Sequence, residues 1–156
     1  MNRNGDWQNP EITWVNWSSF GIVVFDDERI PLVIENNAPT PERLKLPGGS
    51  GKKLDIVERK TVVREIEEEL GIKTSHRLDY PLYGDDKNDH SFYVYLMTPL
   101  SWISIESIVI NEAEIKEVYL LTIREINELV KNQDVLPNHA EALSIYSIEY
   151  AGVPLY

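Results

Sequence analysis

The stretch REIEEELGI, residues 64–72, places four glutamates within five consecutive positions of the chain. Together with the residues just before it, the stretch carries apolar side chains at helical spacing, which predicts an amphipathic helix. The apolar positions are Val62, Val63, Ile66 and Leu70. At about 100° per residue, Glu65, Glu68 and Glu69 lie on a second arc, at spacings i, i+3 and i+4. Their carboxylates are therefore expected to converge on one side of this helix.

Converging carboxylates repel one another, at a cost of about 0.2–0.5 kcal/mol per pair on an exposed helix. A bound divalent cation reverses that repulsion, and hard oxygen ligands favour Mg²⁺ or Mn²⁺ with phosphate as a co-ligand. Charge runs are also typical of a solvated acidic surface, so the glutamates alone leave both interpretations open. Arg64 stands four residues before Glu68, a spacing at which the two side chains can pair.

The composition is typical of one globular domain, which we expect to span residues 1–156. A hydrophobic fraction of 42% disfavours disorder, and the absence of cysteine excludes disulfides, thiolate metal sites and thiol nucleophiles. The sequence shows no signal peptide and no apolar run long enough to span a bilayer, so we expect a cytoplasmic protein. The net charge of −11 disfavours binding to nucleic acid or to a membrane, and an acidic protein that acts on phosphates needs metal ions.

Hydrophobic periodicity and turn residues predict four strands and three helices, arranged as an α+β or α/β layered domain. The strands are expected at two places within 19–36, around a turn at 26–28, and at 91–100 and 117–122. The helices are expected to begin at the N-caps Asp55, Thr122 and Asn138 and to end at Gly71, near Lys131 and near Gly152. Residues 36–53 are rich in Pro, Gly and polar residues and are predicted to form a long functional loop.

Residues 46–72, LPGGSGKKLDIVERKTVVREIEEELGI, resemble the Nudix box, whose signature is G-x5-E-x7-R-E-U-x-E-E-x-G-U with U a bulky aliphatic residue. The second half matches at every fixed position, namely Arg64, Glu65, Ile66, Glu68, Glu69, Gly71 and Ile72. The first half departs from the signature. Asp55 stands where the first glutamate belongs, and one extra residue separates it from Arg64. Asp55 replaces that glutamate, Glu58 replaces it, or neither does.

The resemblance implies an α/β/α sandwich with a mixed central sheet and an Mg²⁺- or Mn²⁺-dependent hydrolase. The resemblance implies that Glu68 and Glu69 of this chain are the principal metal ligands and that Glu65 completes the metal shell. The backbone carbonyl of Gly48 would be a further ligand. Arg64 would orient the glutamates by pairing with one of them.

The resemblance also directs attention to residues outside the glutamate helix. Family members often place a general base before a late strand, and here the candidates are Glu114, Glu112 and Glu117, in that order of preference. Substrate contacts are expected from Arg43, Lys45 and Gly49, in and beside the predicted loop. His90 is expected in a surface turn, and the position of His139 is explained by the start of a helix.

The function implied is hydrolysis of a diphosphate bond in a nucleoside diphosphate linked to a moiety X, by water attack at phosphorus. The alternative is a Nudix-fold module that binds nucleotide without catalysis, which the altered first half of the box keeps open. An isomerase of isopentenyl diphosphate shares the fold, but its usual form needs a cysteine. The expected partner is a small-molecule nucleotide, and a homodimer is left open. The sequence does not specify X.

Overall fold

The computed structural model describes residues 14–87, 89–100 and 105–151. Seven strands and three α-helices follow one another in this part of the chain, with a 3₁₀ turn at Lys53–Asp55 before the first helix. The strands are β1 (Trp14–Val23), β2 (Ile30–Glu35), β3 (Gly48–Lys52), β4 (Thr74–His76), β5 (Tyr83–Lys87), β6 (His90–Pro99) and β7 (Ile115–Leu121). The helices are α1 (Glu58–Leu70), α2 (Ile123–Lys131) and α3 (Pro137–Tyr146), and a short π-helical turn at Ser147–Ala151 continues α3.

The strands form a mixed sheet of five and a separate antiparallel pair. In the larger sheet the order is β3-β1-β6-β4, with β5 also paired to β6. β1 and β6 run parallel, and the other pairs in this sheet are antiparallel. β2 pairs with β7 in the second sheet. A mixed sheet therefore forms the centre of the fold, as the resemblance implied.

Alternating side chains of the strands supply two apolar cores, one on each side of the sheet. Along β6, Val94 and Leu96 pack with the residues of α2 and α3, whereas Tyr95 and Met97 pack with those of α1. The α1 side chains in this second core include Ile66, which is fully buried. Helices on both faces of a mixed sheet make the α/β/α sandwich that the resemblance implied.

Several local predictions are confirmed. The turn at 26–28 separates β1 from β2, and α1 ends at Gly71, which adopts a left-handed conformation with φ of 71°. Thr122 caps α2, and its hydroxyl accepts a hydrogen bond from the Glu125 N–H at 3.2 Å. None of the helices in the described ranges is both long and apolar enough to cross a membrane.

Other predictions are wrong, and long-range pairing explains most of them. β3 forms inside the predicted loop at 36–53, because Gly48 and Ser50 pair with Phe20 and Ser18 of β1. The short strands β4 and β5 were not predicted. α3 begins one residue before the predicted N-cap Asn138, with Pro137 in its first turn.

Candidate active site

A cavity of about 550 Å³ lies where β1, β3 and α1 meet the segment before β7 and the start of α3. Residues from all of these elements line it, including Lys45, Gly48, Glu65, Glu69, Glu114 and His139. Two of the three predicted metal-binding glutamates, Glu65 and Glu69, therefore line the same cavity. The third, Glu68, does not line this cavity.

Glu69 is the most buried carboxylate of the cavity, with 3% of its surface exposed. One oxygen accepts a hydrogen bond from the Gly48 N–H at 3.1 Å. The pKa of Glu69 is raised to about 8, chiefly by burial; the charges of Glu65 and Glu114 act in the same direction, whereas Lys45 and the Gly48 N–H oppose the shift. An ionised Glu69 is thus costly in this buried position and would gain from a nearby cation.

Glu65 lies beside Glu69 and is also largely buried, with 12% of its side chain exposed. Its Oε2 atom lies 2.7 Å from Nη1 of Arg64. Burial raises the pKa of Glu65, the contact with Arg64 opposes this, and the charges of Glu68 and Glu114 add to it. The carboxylates at this end of α1 are therefore held together against their mutual repulsion partly by one guanidinium.

Glu68 departs from the expected convergence. Its side chain is 42% exposed, and its Oε1 atom lies 3.0 Å from Nη1 of Arg64. It therefore lies with Arg64 outside the cavity that holds Glu65 and Glu69. Within the described ranges, no three acidic or histidine side chains are arranged as a group that could hold a metal ion.

Arg64 is anchored by Asp55, which settles the ambiguity in the first half of the box. The guanidinium donates to Oδ1 of Asp55 through Nε at 2.7 Å and to Oδ2 through Nη2 at 2.9 Å. Asp55 also accepts from the Lys52 N–H at 2.9 Å and from the Thr61 hydroxyl at 2.7 Å. Burial opposes the ionisation of Asp55, but these hydrogen bonds, with Arg64 first, outweigh burial and lower its pKa.

The prediction that Asp55 caps the helix is therefore wrong, since α1 begins at Glu58 with Val57 as its N-cap. Asp55 has another task, because it fixes the arginine that contacts Glu65 and Glu68. Among the described residues, Glu58 accepts a hydrogen bond from the Tyr95 hydroxyl alone, at 3.5 Å, and forms no ion pair with Arg64.

The extra residue of the box is accommodated at Ile56. This residue has φ of 71° and ψ of −51°, and the Val57 N–H bonds to the Asp55 carbonyl at 2.8 Å across it. The geometry is that of a γ-turn with positive φ, which is strained for a β-branched residue. Ile56 is 71% exposed, so the strain is not offset by burial.

Replacing Ile56 with glycine is expected to stabilise the protein by about 1 kcal/mol, because glycine adopts positive φ without steric cost. For a chain of this size the melting temperature should rise by about 2–4 °C. Val57→Gly is the matched control: its φ of −135° is extended, so it should instead lower stability by about 0.5–1 kcal/mol. Thermal unfolding of both variants measures the difference, and a less stable Ile56→Gly protein would contradict the strained turn.

Gly48 and Gly49 allow the backbone of β3 to pass close to the glutamates. Gly48 has φ of 144°, and a side chain there would meet the backbone of β1. A Cβ added at Gly49 would lie 2.5 Å from Oε1 of Glu65. Gly48 therefore requires glycine, whereas a side chain at Gly49 would displace the end of the Glu65 side chain. The residue predicted as a substrate contact, Gly49, thus lies directly against a cavity carboxylate.

Lys45 supplies a buried positive charge to the cavity wall, with 6% of its surface exposed. Its Nζ atom lies 3.3 Å from Oε2 of Glu35 and 3.5 Å from the carbonyl oxygen of Gly48. The ammonium also lies 4.9 Å from the centre of the Phe20 ring. Lys45 and Glu35 also line a second cavity of about 250 Å³, which includes the other predicted cation, Arg43.

The three candidate bases separate clearly in space. Glu114 is exposed and lines the large cavity, close enough for its charge to act on Glu65 and Glu69. The backbone carbonyl of Glu112 accepts a hydrogen bond from the side-chain amide of Asn36 at 2.8 Å. Glu117 accepts a hydrogen bond from the Tyr119 hydroxyl at 2.7 Å. Only Glu114 of the three lines the cavity.

His139 lies in the first turn of α3, at the helix start that the sequence predicted, but its role goes beyond that position. Its ring is buried in the cavity wall, with centroids 4.6 Å from Phe20 and 5.2 Å from Phe92. Its Nδ1 accepts a hydrogen bond from the Leu46 N–H at 3.0 Å, so the neutral ring carries its proton on Nε2. No local pattern signals this role, because its partner is 93 positions away. His90, in contrast, is exposed and bonds to the Ser18 hydroxyl at 2.8 Å.

His139 should make stability depend on pH. Burial lowers its pKa to about 3, with Lys45 adding to the effect, against about 6.5 in the unfolded chain. The contribution of the neutral ring to the free energy of unfolding is complete above pH 6.5 and is lost as pH falls towards 3. The loss reaches about 2 kcal/mol at pH 5. Urea unfolding at pH 8 and pH 5 measures the effect as a difference between variants, because Glu69 titrates in the same range in all of them. The change in the free energy of unfolding from pH 8 to pH 5 should be about 2 kcal/mol less favourable in the wild type and in His90→Gln than in His139→Gln. An unchanged pH dependence in His139→Gln would contradict a buried neutral ring.

Comparisons with known proteins agree with this geometry. A family model described as NUDIX domain matches residues 15–143. A NUDIX hydrolase from Nitrosomonas europaea has a TM-score of 0.62 at 18% identity, over 85% of this chain and 88% of that one. A MutT protein from Methanosarcina mazei has a TM-score of 0.63 at 13% identity, over 86% and 94%.

An ADP-ribose pyrophosphatase from Streptococcus suis has a TM-score of 0.57 at 18% identity, over 83% of this chain and 87% of that one. At these identities the structural matches show a shared fold. No curated protein is significantly similar to the chain. The family model covers most of the chain and confirms the resemblance first drawn from residues 46–72, so the chain belongs to the NUDIX domain family.

Proposed function

We propose that this protein hydrolyses a diphosphate bond in a nucleoside diphosphate linked to a moiety X, by metal-dependent attack of water at phosphorus. One observation carries the proposal: Glu69 is buried in a cavity next to Glu65 and Glu114, and the charge of Lys45 does not offset the effect of that burial on its pKa. Such a cluster is costly by itself and becomes favourable when a cation binds. Membership in the NUDIX domain family supports the same chemistry.

The residues present fit Mg²⁺ or Mn²⁺. Glu65, Glu69 and the Gly48 carbonyl offer hard oxygen donors around one cavity, and Glu68 lies on the adjacent turn of α1. Glu68 would need to leave Arg64 to join them, which is feasible for a side chain that is 42% exposed. When bound, the ion would neutralise phosphate charge and lower the pKa of the attacking water.

The protein's own side chains would position the reactants and handle the proton. Glu114 is exposed at the cavity and is our choice for the general base that accepts a proton from water. Lys45 would bind a phosphate oxygen, since its contact with the Gly48 carbonyl is long at 3.5 Å. Arg64, fixed by Asp55, would keep the glutamates oriented.

A non-catalytic nucleotide-binding module is the second candidate. The observation in its favour is the position of Glu68, which pairs with Arg64 outside the cavity. Against it, Asp55 anchors Arg64 with two hydrogen bonds despite the altered box, so the support of the glutamates is intact. The two candidates differ in whether bound nucleotide is cleaved.

The test is a panel of nucleoside diphosphate derivatives incubated with the protein and Mg²⁺, Mn²⁺ or EDTA. The panel contains nucleoside triphosphates, oxidised nucleotides, ADP-ribose, nucleotide sugars, NADH and dinucleoside polyphosphates, and the phosphate-bearing products are measured. We expect metal-dependent cleavage of one class and none in EDTA. Binding without cleavage of any compound would instead support the non-catalytic module.

A further inference from the structure

The smaller cavity of about 250 Å³ adjoins the proposed reaction site. The two cavities share four lining residues, Glu35, Asn37, Lys45 and Leu136. A substrate held at the glutamates could therefore extend from one cavity into the other. The adjoining cavity is the natural place for a part of the substrate beyond the bond that is cleaved.

The two cavities differ in charge. The larger is lined by the acidic residues Glu35, Glu65, Glu69 and Glu114, with Lys45 as its basic residue. The smaller is lined by Arg43 and Lys45, with Glu35 as its acidic residue. Glu35 lies 3.3 Å from Lys45, so Arg43 supplies the excess positive charge of the smaller cavity.

Arg43 has no partner for that charge within the part of the chain that the structure describes. The structure gives its guanidinium no hydrogen bond or ion pair with any described residue, although the side chain is partly buried. Its neighbour Glu42 pairs instead with Lys116 at 2.8 Å. The chain carries 26 acidic residues against 15 basic ones, so a partly buried arginine without a carboxylate partner is unexpected on charge alone.

The walls around Arg43 suit recognition of an anion. Ala38, Pro39, Pro41 and Leu136 line the cavity with apolar groups. Apolar walls lower the local dielectric and strengthen a charged hydrogen bond, and proline restricts the backbone. The fork of a guanidinium matches the oxygens of a phosphate, which it can bind through two parallel hydrogen bonds.

We propose that this cavity is a subsite for a phosphate on X, recognised by Arg43. The inference rests on the proposed function, since it assumes that the diphosphate lies at the glutamates. It names the substrate class as nucleoside diphosphates whose X is itself anionic, such as nucleoside triphosphates and dinucleoside polyphosphates. Nucleotide sugars and ADP-ribose, whose X carries no further phosphate, lack the group that Arg43 would bind.

The test compares two substrates with the same nucleoside, adenosine triphosphate and ADP-ribose. For the triphosphate, Arg43→Gln should lower kcat/KM by about 10- to 100-fold, the size of one lost charge-assisted hydrogen bond. For ADP-ribose it should change kcat/KM less than about twofold. Arg124→Gln removes the same charge from α2, which lies outside both cavities, and should alter neither substrate. Equal losses on both substrates, or none on the triphosphate, would overturn the inference.

A binding measurement separates this inference from the proposed function. Calorimetry with Mg²⁺ and a non-hydrolysable analogue of each compound measures the affinity without turnover, and thermal unfolding checks that Arg43→Gln is folded. A selective loss of triphosphate affinity in Arg43→Gln, with no cleavage by the wild type, would retain the subsite and reject the hydrolase. Metal-dependent cleavage with triphosphate affinity unchanged in Arg43→Gln would retain the hydrolase and reject the subsite.

Discussion

Replacing Glu69 with glutamine is expected to lower kcat by at least about 100-fold, because the proposed metal would stabilise the charge of the transition state by several kcal/mol. The same change should leave the fold intact. Glutamine has nearly the same shape, and its carbonyl oxygen can accept the hydrogen bond that the Gly48 N–H now gives to Glu69 at 3.1 Å. It also removes a buried charge that faces Glu65. Steady-state kinetics on the cleaved substrate, with thermal unfolding, measure both effects.

Glu67→Gln is the matched control for this prediction. Glu67 lies on the same helix but is exposed and does not line the cavity that holds Glu65 and Glu69. Its activity should remain within about twofold of the wild type, because an exposed substitution outside the site changes little. A Glu69→Gln protein that is folded and turns over at a normal rate would remove Glu69 from the proposed metal site.

Replacing Asp55 with alanine is expected to destabilise the protein by about 3–5 kcal/mol, the cost of breaking a buried ion pair by removing one partner. Asp55 is 3% exposed and accepts hydrogen bonds from Arg64, Lys52 and Thr61. Arg64 would lose the hydrogen bonds that fix its position. Glu65 should therefore be less well oriented, and the turnover number should fall. Urea unfolding gives the change in the free energy of unfolding.

Glu58→Gln serves as the control, since Glu58 was the other candidate for the missing glutamate of the box. It contacts only the Tyr95 hydroxyl, at 3.5 Å, and a substitution there should change stability by less than about 0.5 kcal/mol. If Glu58→Gln proved as damaging as Asp55→Ala, the assignment of Asp55 as the anchor of Arg64 would be wrong.

Features encoded by neighbouring residues were predictable from the sequence. The apolar stripe of α1, its end at Gly71 and the capping box of Thr122 and Glu125 depend on spacings of a few residues. The match to the Nudix box has the same local character, which is why it identified the family and the fold. Each of these patterns carries its own physical reason within one or two helical turns.

Features that depend on distant contacts were not predictable. The glycine-rich segment Gly48–Lys52 becomes a strand only because β1 supplies its partner. His139 enters the cavity wall because Leu46, 93 positions away, offers it an N–H. Glu68 shares its helical arc with Glu65 and Glu69, yet Arg64 holds it outside the cavity. Helical spacing determines the direction in which a side chain leaves the helix. The hydrogen-bond and ion-pair partners of the side chain determine where its charged group lies.

The central claim is that Glu69 and its neighbours hold a divalent cation, and Mn²⁺ binding measured by electron paramagnetic resonance tests it most directly. Mn²⁺ is titrated into the wild type, Glu69→Gln and Glu67→Gln, with a nucleoside triphosphate present to supply phosphate ligands. We predict that Glu69→Gln binds at least about 10-fold more weakly than the wild type, because even indirect partners of a metal site contribute that much. Glu67→Gln should bind as the wild type does. Equal Mn²⁺ affinity in all three proteins would contradict the claim.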